Sequence, residues 1–220
     1  VERKDNKEES RPIKFIENCP ICNARLVKEE GEAAHYCPNY NHCPPQILGR
    51  FQHFVSKKAM NIDSLGEERI KILFSAGLIK DFSSFYSLKQ EDIIGLGSLD
   101  KENKANIQAK GANNIIQAIN KSKEVDFTKV LYALGIRYVG EVTAKRLATT
   151  FKNIDSLIKA TKEEFLSVED VGERIADSLL TYFSDQDNLD LIARLKDLGL
   201  QFEIKQSQKT SEKLSGLAFV

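Results

Sequence analysis

The chain has 220 residues, 41% of them hydrophobic, which is enough for one large or two small domains with packed cores. Its 32 Lys and Arg residues equal its 32 Asp and Glu residues, which excludes bulk positive charge as a basis for binding nucleic acid. No apolar segment approaches the length of a membrane span, and the N-terminus lacks a signal-peptide core, so we expect a cytoplasmic protein with no membrane partner.

The first elements along the chain are a charged segment and a cysteine-containing module. Residues 1–14 begin with a run of mixed charges and are predicted to form a linker. Residues 15–59 are predicted to hold a small module with short strand-like pieces at residues 25–27 and 35–37, followed by a helical connector. Helical periodicity indicates the connector, because it places four apolar residues on one face: Phe51, Phe54, Val55 and Ala59.

All the cysteines of the chain fall within this module, in a C-x2-C-x14-C-x5-C pattern formed by Cys19, Cys22, Cys37 and Cys43. Two thiolate pairs on tight turns can hold one zinc ion tetrahedrally, and a closed shell of four thiolates makes such a zinc structural rather than catalytic. The second pair is wider than usual for a zinc site. Two disulfides are the alternative, which an intracellular location disfavours, and His35 and His42 are less favoured substitute ligands.

A twelve-residue pattern recurs through residues 60–205. Its fullest form, Ile136-x-x-Val139-Gly140-x-x-x-Ala144-x-x-Leu147, is repeated around Gly172 and Gly66, and a copy at residues 107–115 has Gln108 in place of the glycine. Each copy predicts a helix, a tight glycine turn and a second helix, and four such helix-hairpin-helix units predict a mainly α DNA-binding domain. The turn leaves amides at a helix N-terminus for a phosphate oxygen. The alternative is a plain helical array with glycine C-caps.

Candidate DNA-binding residues lie at and beside these turns: Gly66, Arg69, Arg137, Gly140, Lys145, Arg146, Gly172 and Arg174. We expect the glycines to adopt a conformation that a side chain opposes, and the cations to contact phosphates; ordinary surface charge is the alternative for each cation. Glu67, Glu141 and Glu173 directly follow the glycines, where a carboxylate favours the helix dipole.

The C-terminal residues change character twice. Residues 206–213 are polar and are predicted to be a second linker. Residues 214–220 are mostly apolar and are predicted to begin a further domain that is truncated here.

The order of zinc finger, connector and tandem hairpins resembles the C-terminal half of bacterial NAD-dependent DNA ligase. Three features carry the resemblance: the cysteine spacing, residues 50–60 and residues 131–141. Residues 214–220 are similar to the opening of that family's BRCT domain. The resemblance implies an enzyme of DNA replication and repair that seals nicks in duplex DNA. Such an enzyme adenylates itself from NAD and passes AMP to a 5′-phosphate, with Mg²⁺ as a further cofactor.

Two departures from the family pattern qualify this resemblance. Gln108 stands where the family usually has glycine, so we expect its side chain to oppose the left-handed turn and to weaken phosphate contact there. The family's adenylation motif, Lys-x-Asp-Gly, does not occur in the sequence. The resemblance therefore implies that adenylation, OB-fold and BRCT domains belong to the rest of the polypeptide, that NAD and Mg²⁺ bind there, and that these residues alone are inactive. The alternatives are a stand-alone helix-hairpin-helix DNA-repair scaffold and a zinc-stabilised protein-interaction adaptor.

Overall fold

The computed structural model describes residues 15–28, 31, 33–97 and 106–205, so the predicted linkers and the BRCT-like end lie outside the described residues. The described part of the chain is mainly helical, as predicted, with isolated β-bridges in place of strands. A 3-10 helix covers Ser83–Ser87. The α-helices are α1 (Pro44–Val55), α2 (Glu67–Ser75), α3 (Gln90–Ile93), α4 (Ala109–Ser122), α5 (Phe127–Ala133), α6 (Glu141–Phe151), α7 (Ile154–Lys159), α8 (Lys162–Leu166), α9 (Glu173–Ser184) and α10 (Gln186–Asp197). None of these helices is long and apolar enough to cross a membrane.

The chain divides into two compact units, residues 1–47 and residues 48–220. In the first unit, antiparallel bridges join Asn18 to Arg25 and Val27 to Tyr36, so the predicted strand-like pieces pair through single bridges. Among the described residues of this unit, the buried ones are three cysteines, and Cys22, Ala24 and Leu26 are the partly buried residues packed against them. Such a core is too small to stabilise a fold without a further cross-link.

The connector helix α1 begins at Pro44, because proline is favoured in the first turn of a helix, where its missing N–H has no partner to lose. The predicted apolar face is buried, although Ala59 lies beyond the end of the helix. Its phenylalanines pack against the 3-10 helix region of the second unit. Phe54 stacks on Phe82 with the ring centroids 4.3 Å apart, and Phe51 meets Phe85 edge-on at 5.3 Å.

A histidine of α1 fixes the entry to the third repeat. The Nε2 of His53 lies 2.8 Å from the carbonyl oxygen of Tyr132 in α5, and the His53 ring packs edge-on against the Tyr132 ring. A carbonyl only accepts, so Nε2 carries the proton. After α5 the chain reverses at Gly135, which has a φ of +69° and faces His53. This left-handed position favours glycine.

The apolar positions of the twelve-residue pattern form the core of the second unit. The small residue of three copies, Ala112, Ala144 or Ala176, is fully buried and lets helices approach closely, and Ile70 takes this position in the first copy. The other buried positions of the pattern are Ile62, Leu65, Leu73, Ile107, Ile115, Ile136, Val139, Leu147, Val168, Val171 and Leu179. The twelve-residue pattern therefore reflects core packing, and any phosphate site is built on these packed helices.

Candidate metal centre and nucleic-acid interface

The four cysteine sulfurs converge on one point. Their Sγ atoms all lie within 4.8 Å of one another, with 3.5 Å between Cys22 and Cys37 and 3.9 Å between Cys19 and Cys43. A tetrahedral zinc site with Zn–S bonds of about 2.3 Å places its sulfurs about 3.8 Å apart. The cluster therefore fits one tetrahedral metal ion. Neither His35 nor His42 belongs to it among the described residues, and the His35 ring stacks on Phe15 instead.

Local backbone bonds shape the two cysteine pairs. In the first, the Asn23 amide donates to the Cys19 carbonyl at 2.9 Å, and Asn23 takes a left-handed φ of 58°, which asparagine tolerates better than most residues. In the second, the longer spacing is taken up by a turn in which the Cys43 amide donates to the Asn39 carbonyl at 2.8 Å. The wider spacing is thus accommodated without separating the sulfurs.

The thiols of the cluster differ in their affinity for protons. A hydrogen bond with the Ala24 backbone lowers the pKa of Cys22 to about 6, whereas burial raises the pKa of Cys43 to about 12 and also raises the pKa of Cys37. Burial without a counter-charge disfavours thiolates, and a divalent cation reverses that preference. The donor set is therefore suited to a metal that carries positive charge into the cluster.

The turns that precede α2, α4, α6 and α9 are called turn 1 (residues 62–66), turn 2 (residues 106–108), turn 3 (residues 136–140) and turn 4 (residues 168–172). Each ends in the residue that caps the following helix. These capping residues share an extended backbone, with φ of −73° at Gly66, −77° at Gln108, −80° at Gly140 and −92° at Gly172. The expectation that glycine is needed here for a left-handed conformation is wrong, and so is the expectation that Gln108 opposes the turn.

The left-handed residue lies two positions before each glycine. It is Ser64 in turn 1, Tyr138 in turn 3 and Asp170 in turn 4, with φ of 70°, 64° and 62°. Turn 2 differs at this position, because Asn106 has no positive φ and pairs with Gly97 in an antiparallel bridge. Turn 2 is thus distinct from the other three, but through Asn106 and not through Gln108.

The space beside the glycines of turns 1, 3 and 4 is open. A Cβ added at Gly66, Gly140 or Gly172 would meet no atom within 4 Å, and no side chain caps the helix that follows. Three other helices of the unit do have side-chain caps, Asn153 for α7, Thr161 for α8 and Asp185 for α10, whereas α4 and α5 lack one. The helix N-termini at turns 1, 3 and 4 thus keep their first amides uncapped by a side chain, with open space in front of them.

Four of the predicted cations contact the left-handed residues. Arg69 donates to the carbonyl of Ser64 at 2.6 Å, and Arg146 forms an ion pair with Asp170 at 2.8 Å. The guanidinium carbons of Arg137 and Arg174 lie 4.9 and 4.5 Å from the centroid of the Tyr138 ring. Lys145 is exposed on α6. These arginines therefore stabilise the turns, whatever else they bind.

Two family models match the chain. One, described as the NAD-dependent DNA ligase C4 zinc finger domain, matches residues 18–44, which contain all four cysteines. The other, described as the helix-hairpin-helix motif, matches residues 129–192, which contain turns 3 and 4.

Bacterial DNA ligases are similar to nearly the whole chain. That of Parabacteroides distasonis is 46% identical over 210 residues, which is 94% of this chain and 30% of the relative. The DNA ligase of Christiangramia forsetii is 42% identical over 214 residues, 96% of this chain and 31% of the relative. The chain spans about a third of the length of these curated relatives. It fits the C-terminal part of an NAD-dependent DNA ligase.

The glutamates that follow the glycines of turns 1, 3 and 4 are each paired with a lysine. Glu67 meets Lys71 at 2.6 Å, Glu141 meets Lys58 at 3.3 Å, and Glu173 meets Lys162 at 2.6 Å. The bond with Lys71 lowers the pKa of Glu67, and bonds with Asp177 and Glu173 raise the pKa of Lys162. Each glutamate thus has a lysine ammonium within 3.3 Å, and Lys162 is shared between Glu173 and Asp177.

Sequence reasoning missed the left-handed residues and the lysines that pair with the glutamates. No glycine marks Ser64, Tyr138 or Asp170, although an Asp two positions before a glycine is a weak turn signal. Lys58 and Lys162 come from segments outside the twelve-residue pattern, so nothing in the repeat points to them.

Proposed function

We propose that this chain is the DNA-binding portion of an NAD-dependent DNA ligase that seals nicks in duplex DNA during replication and repair. Adenylation, OB-fold and BRCT domains would occupy the remainder of the polypeptide, and NAD and Mg²⁺ would act there. The ligase-like zinc finger and hairpins, found in this order in one chain, support the proposal. In this reading the protein acts on DNA in the bacterial cytoplasm.

The observation that carries the DNA-binding role is the open, uncapped helix N-terminus that recurs at three glycine turns of one unit. At turns 1, 3 and 4 a glycine leaves the first helical amides without a side-chain cap and the space before them open. A phosphate oxygen placed there would accept from these amides and would lie at the positive end of the helix dipole. Amide contacts of this kind hold the backbone without reading the base sequence, as a nick-sealing enzyme requires.

The cations divide into two roles in this proposal. Arg137, Lys145 and Arg174 are exposed beside turns 3 and 4 and would add phosphate contacts to those of the amides. Arg69 and Arg146 would act mainly by holding turns 1 and 4 in shape. Arg69 donates to the Ser64 carbonyl of turn 1, and Arg146 forms an ion pair with Asp170 of turn 4. The glycines Gly66, Gly140 and Gly172 remain the closest points of approach.

The zinc would be structural. Cys19, Cys22, Cys37 and Cys43 would hold it, and the ion would supply the cross-link that the small core of the first unit lacks. The chain's own residues hold the thiols close together through the backbone bonds around Asn23 and Asn39. Four thiolates leave no position for a substrate.

Fluorescence anisotropy with three labelled DNAs tests this function: a nicked duplex, an intact duplex of the same sequence and the single strand. We expect both duplexes to bind regardless of sequence, and more tightly than the single strand. Affinity should fall with salt, with a shallow slope, because amides replace part of the cationic contacts whose counterion release sets that slope. Failure to bind either duplex in 50 mM salt would refute the DNA-binding role and favour the adaptor alternative.

A further inference from the structure

Turns 3 and 4 hold each other through reciprocal contacts. Arg146 belongs to α6, the helix after turn 3, yet its guanidinium lies 2.8 Å from the Asp170 carboxylate and 3.0 Å from the Glu169 carboxylate of turn 4. In return, Arg174 of α9, the helix after turn 4, lies over the ring of Tyr138 in turn 3. The hydroxyl of Ser178, also in α9, donates to the Arg137 carbonyl at 2.7 Å.

These contacts fall on the residues that define the turns. Tyr138 and Asp170 both have a left-handed backbone, which a residue with a side chain adopts only when its surroundings favour it. In each case an arginine from the other hairpin contacts the side chain of the left-handed residue. Two positions after each left-handed residue lies the N-cap glycine of the following helix. A shift at Tyr138 would therefore move the amides of Gly140 and Glu141, and a shift at Asp170 those of Gly172 and Glu173.

We propose that Tyr138, Arg146 and Asp170 are positioning residues that lock turns 3 and 4 into one phosphate-binding unit, in which the geometry of each turn depends on the other hairpin. The inference rests on the proposed DNA binding and concerns how the site is held. In this unit Arg146 acts through Asp170, and Tyr138 acts by holding the guanidiniums of Arg137 and Arg174 beside the two turns.

The role of Asp170 can be tested by whether one substitution tightens or weakens DNA binding. Its side chain is 67% exposed and carries a negative charge next to the proposed phosphate site. If charge alone mattered, Asp170→Asn would remove a repulsion and tighten DNA binding. A positioning role predicts the opposite, because the ion pair between Arg146 and Asp170 is lost, only the Glu169 contact remains, and turn 4 is loosened. Asparagine is well suited to a left-handed backbone, so this variant is expected to fold.

The experiment measures the affinity of the 220-residue chain for a nicked duplex, with circular dichroism and thermal melting as controls for folding. We expect Asp170→Asn to weaken binding by about three- to tenfold, which lies in the lower part of the range of coupling energies between neighbouring residues. The matched control is Asp197→Asn, which removes an exposed carboxylate at the end of α10 and should leave the affinity unchanged or slightly raised. Tighter binding by Asp170→Asn overturns the positioning role while leaving DNA binding intact.

A double-substitution cycle separates an indirect role of Arg146 from direct contact with DNA. If Arg146 acts through Asp170, Arg146→Met combined with Asp170→Asn should bind no more weakly than the weaker single variant. Additive losses would mean that Arg146 touches the phosphates itself and would overturn the inference for that residue.

Tyr138 is tested with a pair of variants. Tyr138→Phe keeps the ring face that the guanidiniums contact and should retain most of the affinity. Tyr138→Asn removes the ring while easing the left-handed backbone, so it should weaken DNA binding without lowering the melting temperature. Equal affinities for these two variants overturn the role given to the ring. Absence of binding by the unsubstituted chain would instead overturn the proposed function, and this inference with it.

Discussion

Replacing Gly172 with serine should make the protein more stable and its DNA binding weaker. The backbone at Gly172 is extended, with a φ of −92°, and an added Cβ meets no atom within 4 Å, so serine fits without strain. Serine is a somewhat better N-cap than glycine and also restricts the unfolded chain, which together contribute about 0.5–1 kcal/mol of stability. For a protein of this size such a gain raises the melting temperature by about 1–4 °C.

The same hydroxyl should obstruct a phosphate. It would accept from the amides that the phosphate needs, and the Cβ would occupy the open space before them. Loss of a hydrogen bond to a charged group costs about 1.5–3 kcal/mol, which weakens binding by about 10- to 150-fold. Anisotropy with a nicked duplex and thermal melting on the same samples would measure both effects.

Gln108→Ser is the matched control for this substitution. Gln108 caps α4 from the same extended backbone, and the capped helix makes the same first bond, from Ala112 to the Gln108 carbonyl at 3.0 Å. Turn 2 lacks the left-handed residue, so serine there should stabilise the helix and leave DNA affinity unchanged. If Gly172→Ser bound DNA as well as the unsubstituted chain, or if both serine variants lost affinity equally, the amide–phosphate explanation would be wrong.

Four further predictions concern the remaining parts of the chain. Cys37→Ser should abolish zinc binding by elemental analysis and unfold residues 15–49, while the ellipticity of the helical unit persists; bound zinc in this variant would contradict the four-thiolate site. Gly135→Ala should lower stability by about 1–2 kcal/mol in a denaturant titration, because its φ of +69° is unfavourable for alanine. Asp185→Ala should cost about 1 kcal/mol through loss of the α10 cap, with DNA affinity unchanged. The chain alone should not form an AMP adduct when incubated with NAD, and detection of one by mass spectrometry would refute the assignment of adenylation to another domain.

The features that sequence predicted well are those set by local periodicity and spacing. The buried positions of the twelve-residue pattern follow from helical geometry, because residues three and four apart share a face and that face packs inward. The convergence of Cys19, Cys22, Cys37 and Cys43 follows from two short cysteine-bearing turns in a segment with little other core. Neither prediction needed knowledge of distant contacts.

The prediction about the glycines failed for a physical reason. Glycine is favoured where φ is positive, and also where a side chain would occupy space that a neighbour needs. Sequence alone does not distinguish the two causes. At Gly140 and Gly172 the backbone is extended and an added Cβ meets no atom within 4 Å, so only the proposed approach of a phosphate would require the space. The positive φ values fall on Tyr138 and Asp170, which are held by residues 36 and 24 positions away, Arg174 and Arg146, so only the folded arrangement identifies them.

The charge balance at the turns explains why the proposed DNA interface is recognised by its backbone geometry and not by net positive charge. The chain has equal numbers of acidic and basic residues, and Glu67, Glu141 and Glu173 stand beside the amides that would bind phosphates. Each glutamate has a lysine within 3.3 Å that offsets its charge, and Lys162 is shared between Glu173 and Asp177. Long-range electrostatic attraction of DNA is then small, and the affinity for DNA would depend on backbone amides that lie at fixed positions. A protein that binds this way holds any duplex of the correct backbone shape, and it needs rigid turns more than it needs cations. Arginines contact Ser64, Tyr138 and Asp170, the left-handed residues of these turns, and such contacts favour rigid turns.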